Sequence, residues 1–317
     1  MKKLLIAALA LFPLLAAAQA YPTKPIRIVL PFGPGGVADI TTRTIAPKLG
    51  EALGQQIVVE NMPSAGGIRA SETVAHARPD GYTILLLTNG NAVSKALFKS
   101  LPYDPANDFA MISTMGFFSM AIVTSGNSEV KTLKDAIAKA KANPGKMNIG
   151  TITPGGTQHL AGELFRSMAG IDAVVIPHKT TGEVVVATRN GSVDLAVDFI
   201  TPLLSAIRSG ALRPLAVTAG KRFPGLPDVP TASEAGVPGY DVASWNALAV
   251  PAKTPQPIID KVHEALVKAL AAPEVQKRFA DLGVEGRSST PEQLRKFYES
   301  ETRRWTQVVE MAKIPKQ

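Results

Sequence analysis

The chain has 317 residues, 34 basic and 26 acidic side chains, a net charge of +8 and no cysteine. Disulfide frameworks and thiol chemistry are therefore excluded, and the basic residues are scattered without runs or interleaved aromatics, which argues against nucleic acid as a partner. A mild positive balance favours small anions, but only as a long-range bias.

Lys2 and Lys3 precede an apolar run from Leu4 to Ala17, and Ala18-Gln19-Ala20 follows. Charge, apolar run and small residues form the pattern of a cleaved export signal, and the run is shorter than the roughly 20 residues a spanning helix needs. Removal of residues 1–20 is expected to leave 317 − 20 = 297 residues in the periplasm, room for two domains. No second long apolar run follows, and no cysteine stands after the cut to carry a lipid.

Ile26 to Phe32 reads as an apolar strand, and Ile45, Leu49 and Leu53 recur at helical spacing after it. Pro47 inside that helix is expected to kink it or loosen its first turns. Gln55 to Asn61 is the next strand, followed by a Gly66-Gly67 turn, a helix around Ala70 to Ala77, and a third strand from Tyr82 to Thr88. Runs apolar on both faces suit a mostly parallel sheet covered by helices.

A second series begins near Ala121. Met120 to Ser125 reads as a strand, and the helix from Leu133 is stopped by Pro144-Gly145. Strands Met147–Ile152 and Ala173–His178 flank a helix over His159–Met168, and strands Val193–Phe199 and Leu212–Thr218 continue the alternation. A proline-punctuated loop from Phe223 to Tyr240, a strand at Ser244–Pro251 and a helical tail complete the chain. The expected architecture is α/β with two lobes, residues 21–121 with 244–317 forming one and 122–243 the other.

The glycine loop after the first strand carries the first functional signal. Gly33, Gly35 and Ala38 match the G-x-G-x-x-A dinucleotide pattern, and Glu60 ends the second strand where a ribose-binding acid would sit. Pro31 and Pro34 stiffen the turn in a way that pattern does not ask for, and the leader directs the chain away from most dinucleotide. The loop's physics survives without a nucleotide. Glycines let backbone N–H groups approach a ligand, and a helix start carries about half a positive charge, so the site suits a carboxylate as well as a phosphate. Asp39 either complements the first helical turn or fixes the loop and accepts from a ligand.

Pro154-Gly155-Gly156-Thr157 repeats the design in the second series, with Thr157 as the expected N-cap. Thr180 and Glu183 have capping-box spacing, which reads as a helix start.

"YPTKPIRIVLPFGPGGVAD", "LPYDPANDF", "ANPGKMNIGT", "GGTQHLAGELF", "GSVDLAVDF" and "PDVPTASEAGVPGYDVASWNALAVPAKTP" occur in order between Tyr21 and about Trp305. In this ordered set the chain resembles the Bug receptors, the TctC-type periplasmic solute-binding proteins of tripartite tricarboxylate transporters. The resemblance implies a monomeric Venus flytrap, without cofactor or chemistry of its own, that closes on a small organic carboxylate and passes it to membrane transporter subunits. It also implies that Phe32, Gly33, Pro34, Gly35 and Gly36 with Asp39, and Thr153, Gly155, Gly156 and Thr157 with His159, grip one carboxylate. The loop Asn89 to Asn91 and the segment containing His178, Lys179 and Thr180 would meet the variable end of the ligand, and Asp198 and Phe199 would line the cleft.

Two departures from the family pattern fall in that variable wall. His178-Lys179-Thr180 stands where Tyr-Lys-Gly is common, and Asn91-Ala92-Val93 stands where many members have a Thr-His pair. Lys179 is either a partner for a second carboxylate or a solvated loop lysine, and the asparagine amides are able to donate. Asp39 and Asp198 are the acids available to an ammonium group, so dicarboxylates, aliphatic or aromatic, are expected ahead of amino acids.

Enzyme readings have thinner support. His159 and Glu163 share a helix face, but no third metal ligand is nearby, and neither G-x-S-x-G nor a phosphate loop is present. A secreted α/β hydrolase-like enzyme acting on a small anion is the alternative, and it requires a Ser–His pair that spacing does not reveal. Trp245 is either core or a ring stacked on the ligand.

Overall fold

The computed structural model describes residues 21–152 and 155–317. The leader reading at residues 1–20, and the positions Thr153 and Pro154, lie outside the described residues.

The first lobe begins β1 (Ile26–Leu30), α1 (Val37–Leu53), β2 (Ile57–Asn61), α2 (Ile68–Ala75), β3 (Thr83–Thr88), α3 (Asn89–Leu97). β4 (Phe109–Ser125) then leads into α4 (Leu133–Ala142), β5 (Met147–Ile152), α5 (Thr157–Met168), β6 (Ala173–His178), α6 (Thr181–Arg189), β7 (Leu195–Phe199), α7 (Ile200–Arg208) and β8 (Leu212–Val217). The chain returns through β9 (Ala243–Pro251), α8 (Gln256–Leu270), α9 (Pro273–Asp281), β10 (Val284–Glu285) and α10 (Pro291–Met311).

β4 joins the lobes. Its first part pairs with β9 and β10, and its last part pairs with β7 and β8, so one 17-residue strand belongs to both sheets. β1, β2 and β3 are parallel, β9 runs against β3, and β4 runs against β9, so β1 and β3 point the way β4 travels, toward the second lobe. β7 runs against β4, and β5 and β6 run with β7, so these strands point back toward the first lobe. The carboxyl ends of both sets therefore face each other, where ligands bind in open α/β sheets. The sequence reading placed only Met120–Ser125 in this strand; Phe109–Ser119 belongs to it as well.

Alternation puts successive side chains on opposite faces. Ile28, Leu30, Ile84 and Leu86 pack against Ile45 and Leu49 of α1 and Val262 and Leu266 of α8. Val29, Leu85 and Leu87 pack on the other face against Val74 of α2 and Leu294 and Tyr298 of α10. The second sheet is covered likewise, by α4 and α5 on one face and by α6 and α7 on the other. α1 continues through Pro47, with Thr41, Thr42 and Thr44 hydroxyls donating to carbonyls of the preceding turn.

α10 straps the lobes together. Its Leu294 and Tyr298 lie in the first lobe's core, whereas Trp305, Val308 and Val309 lie in the second lobe's. Between them, buried Glu301 accepts from the indole N–H of Trp245 at 3.0 Å and of Trp305 at 2.9 Å. Trp245 is thus a core residue, edge-on to Phe297 and Tyr298, and not a ring presented to the cleft.

Candidate functional site: two matched helix starts facing across the cleft

β1 delivers the loop Phe32–Gly36 to the cleft, and α1 leaves from it. Gly35 adopts φ +84°, a conformation that glycine takes without steric penalty, and Gly36 caps α1 in an extended conformation with no side-chain hydrogen bond. The Gly35 N–H donates to Asp39 Oδ2 at 2.9 Å. Asp39 Oδ1 accepts from Arg43 Nε at 2.9 Å and Asn61 Nδ2 at 3.0 Å, and Asn61 Nδ2 also reaches the Phe32 carbonyl at 3.0 Å. Asp39 therefore fixes the loop. Burial opposes its ionisation, but the hydrogen bonds from Arg43, Gly35 and Asn61 outweigh that and hold the carboxyl below its usual range. Asn61, at the end of β2, was missed by sequence reading because a strand-terminal asparagine carries no signal of this role.

The second loop has the same geometry. Gly155 has φ +74°, its N–H donates to His159 Nδ1 at 3.0 Å, and Gly156 is an extended N-cap without a side-chain hydrogen bond. Thr157 is consequently the first helical residue and not the cap expected for it, because the glycine before it takes the extended conformation that a cap requires. Burial pushes the His159 imidazole below its ordinary pKa, with Glu163 opposing. The shared pattern, Gly-Gly-x-x-Asp and Gly-Gly-x-x-His, was legible in the sequence as a repeat of spacing. In each loop the acceptor binds the left-handed glycine's amide and leaves the helix start open. The first-turn N–H groups of a helix have no intrahelical partner, so each start presents donors and a positive dipole end.

Asn89 and Asn91, expected in a loop, form the first turn of α3, because Thr88 and Asn91 make a capping box there. Asn91 faces its own lobe: Oδ1 accepts from Thr88 N at 3.0 Å and Nδ2 donates to Ser71 Oγ at 2.7 Å. Asn89 crosses the cleft, its Nδ2 lying 3.4 Å from Thr157 Oγ1.

On the second lobe, Asp198 is fully buried at the end of β7 and accepts from Gln158 Nε2, Thr181 Oγ1 and Phe199 N at 3.2, 2.6 and 2.7 Å. It ties together the starts of α5 and α6. Burial raises its pKa, with those donors opposing. Phe199 packs edge-on against Phe118. His178 ends β6, the outermost strand, one strand beyond β5 and its glycine loop, and Lys179 and Thr180 follow it into α6. Thr180 caps α6, accepting from Glu183 N, while the Lys179 amide donates to the Glu183 carboxylate and its side chain is exposed. Phe32, 43% exposed, and Pro34 are exposed in the first lobe's glycine loop.

His159 Nε2 lies 3.9 Å from Glu163, and among the described residues no group of three metal-ligating side chains exists. The arrangement leaves two helix starts whose backbone donors have no side-chain cap, a geometry suited to an anion.

A family model described as the tripartite tricarboxylate transporter family receptor matches residues 41–314. The chain belongs to the TctC receptor family. BugT of Bordetella pertussis is 35% identical over 295 residues, spanning 92% of this chain and 90% of that protein. The periplasmic binding protein BugD superposes with a TM-score of 0.79 at 33% identity, covering 94% of this chain and all of that one (100%). Rpa4515 of R. palustris, solved with adipate, gives 0.82 at 31% identity, covering 94% and 100%. MatC (Rpa3494) of Rhodopseudomonas palustris, solved with bound malate, gives 0.77 at 32%, covering 91% and 100%. The TctC chain is accordingly a solute-binding receptor with the periplasmic binding protein fold, and the hydrolase alternative falls. TctC and Bug receptors are periplasmic binding proteins, and among the described residues no helix is long and apolar enough to cross a membrane.

Proposed function

We propose that this receptor, exported by cleavage of residues 1–20, captures a small dicarboxylate between its lobes and delivers it to a tripartite membrane transporter. The observation that carries the reading is the matched pair of helix starts at Gly36 and Gly156, each lacking a side-chain cap and each preceded by a braced left-handed glycine. One carboxylate sits between them, held by backbone amides. Asp39 and Asp198 are both occupied by donors from within the protein, which supports a ligand without a compensating ammonium group. Two relatives solved with adipate and with malate hold dicarboxylates, which supports the same class here. Lys179, exposed beyond the end of β6, reaches the distal carboxylate.

Thermal-shift screening of the chain from Tyr21 onward against mono-, di- and tricarboxylates tests this. A ligand at 100 times its Kd stabilises by about 2.7 kcal/mol. Stabilisation by dicarboxylates ahead of their monoamides is the expected result; turnover of an ester or amide, or no response to any carboxylate, contradicts it. Lys179→Ala is expected to weaken a dicarboxylate by about 1.5–3 kcal/mol and to leave a matched monocarboxylate nearly unchanged.

A further inference from the structure

Among the described residues, three segments carry the chain from one lobe's core to the other's. β4 crosses between Phe118 and Met120, the return to β9 between Val242 and Trp245, and α10 between Tyr298 and Trp305. One line of polar contacts joins all three. Thr218, fully buried just after β8, donates its backbone N–H to the Met120 carbonyl at 2.9 Å and its hydroxyl to the Val242 carbonyl at 2.7 Å. The Arg304 guanidinium donates to the carbonyl of Asp241, and its Nη1 lies 3.6 Å from Glu301 Oε1. The other oxygen of that carboxylate, Oε2, accepts from both indoles, Trp245 on β9 and Trp305 on α10.

An oxygen shared by two donors is a point about which they swing. It accepts over a broad range of directions, so the Trp245 indole can turn relative to α10 while its bond keeps its length. Contacts far from such a point break when the lobes part, and contacts beside it do not. α3 supports this placement. It starts from β3 of the first lobe and lies against α10, yet its Val93, Ala96 and Leu97 are buried in the second lobe's core together with Trp305. Parting the lobes at α3 would bring these apolar side chains into water, so the least costly turning line runs close to α3 and α10. No glycine or proline lies between Tyr298 and Trp305, and α10 resists bending there.

We infer that the lobes turn about the line from Thr218 to Glu301, and that the contacts Asp241–Arg304–Glu301–Trp245 limit how far they part at rest. A grip shared by two lobes forms only in the fraction of molecules whose lobes are near enough, and apparent affinity scales with that fraction. Arg304 and Glu301 are thus positioning residues that act through lobe separation.

The chain has no cysteine, so Arg69→Cys in α2 and Val186→Cys in α6, both exposed and one on each lobe, take spin labels specifically. The test is electron–electron distance measurement between them in the chain from Tyr21 onward, without added carboxylate. Arg304→Met and Trp245→Phe are each expected to shift the interlobe distances to longer values than in the otherwise unchanged labelled chain. Ile45→Ala opens a cavity in the first lobe's core away from the line, and is expected to lower Tm and keep the original distances. The Arg304 side chain is 34% exposed, so Arg304→Met decides the question even where Trp245→Phe does not fold. Unchanged distances in either folded variant, whatever its Tm, overturn the inference and leave these contacts a purely stabilising role. Equal lengthening in Ile45→Ala also overturns it.

Discussion

The Gly155 N–H donates to His159 Nδ1 at 3.0 Å, four residues along the chain, as the Gly35 N–H donates to Asp39 at 2.9 Å in the other lobe. An imidazole that accepts at Nδ1 must be neutral there. In the unfolded chain a histidine protonates near pH 6.5, and burial holds the folded His159 below that. Once pH falls below about 6.5 the unfolded state binds more protons, so His159 makes stability fall with pH down to its folded pKa. His159→Gln is expected to give a shallower dependence of Tm on pH between about 7.5 and 5.5. Parallel curves for variant and wild type would remove the bond from the account.

Gly155 and Gly156 are expected to separate stability from binding. At Gly155, φ is +74° and a Cβ would lie 2.9 Å from Leu97 Cδ1, so Gly155→Ala should cost about 1–3 kcal/mol in urea unfolding. Gly156 has φ −72°, which any residue adopts, so Gly156→Ala should keep the wild-type midpoint and weaken carboxylate binding. Equal destabilisation by both would contradict the assignment.

Asp198 behaves oppositely to Asp39. Its folded pKa is raised above the carboxyl's ordinary value, so between those two values the folded state holds more protons and stability falls as pH rises. Asp198→Asn keeps an acceptor without the buried charge. It is expected to match or exceed wild-type stability at neutral pH, whereas Asp198→Ala, which leaves three donors unpaired, should lose about 2–3 kcal/mol by chemical denaturation.

Glu301 satisfies two buried indoles at the junction of the lobes. Glu301→Leu leaves both N–H groups without an acceptor and should cost about 2–5 kcal/mol. Glu301→Gln retains an acceptor oxygen and should cost less. Trp245 and Trp305 are the chain's two tryptophans, so intrinsic fluorescence follows both unfolding transitions directly.

Much of the lobe structure was legible because apolar strands and helix stripes have different periods, and the glycine loops announced themselves by repeated spacing. The first half of β4 was not. "FAMISTMGFF" mixes polar and apolar residues, and this segment shifts register twice against β9 and is buried along nearly its whole length, so neither strict alternation nor an unbroken apolar run marks it. The site was legible as two loops, but not as a bracing network: Asn61 lies 22 residues from Asp39, and Glu301 lies 56 from Trp245. Asn89 and Asn91 look alike in sequence, yet one is held by Thr88 and Ser71 within its lobe and the other reaches across the cleft. Only packing tells them apart.

The most direct measurement is an amide NMR titration of the uniformly 15N-labelled chain with the tightest-binding carboxylate from the screen. The expected result is that the amides of Gly36 and Val37 in one lobe, and of Gly156 and Thr157 in the other, shift together and saturate at one ligand per chain. The Gly35 and Gly155 amides, already donating to Asp39 and His159, should move less. A carboxylate that saturates the protein while leaving the amides of either helix start unmoved would contradict the two-sided backbone grip.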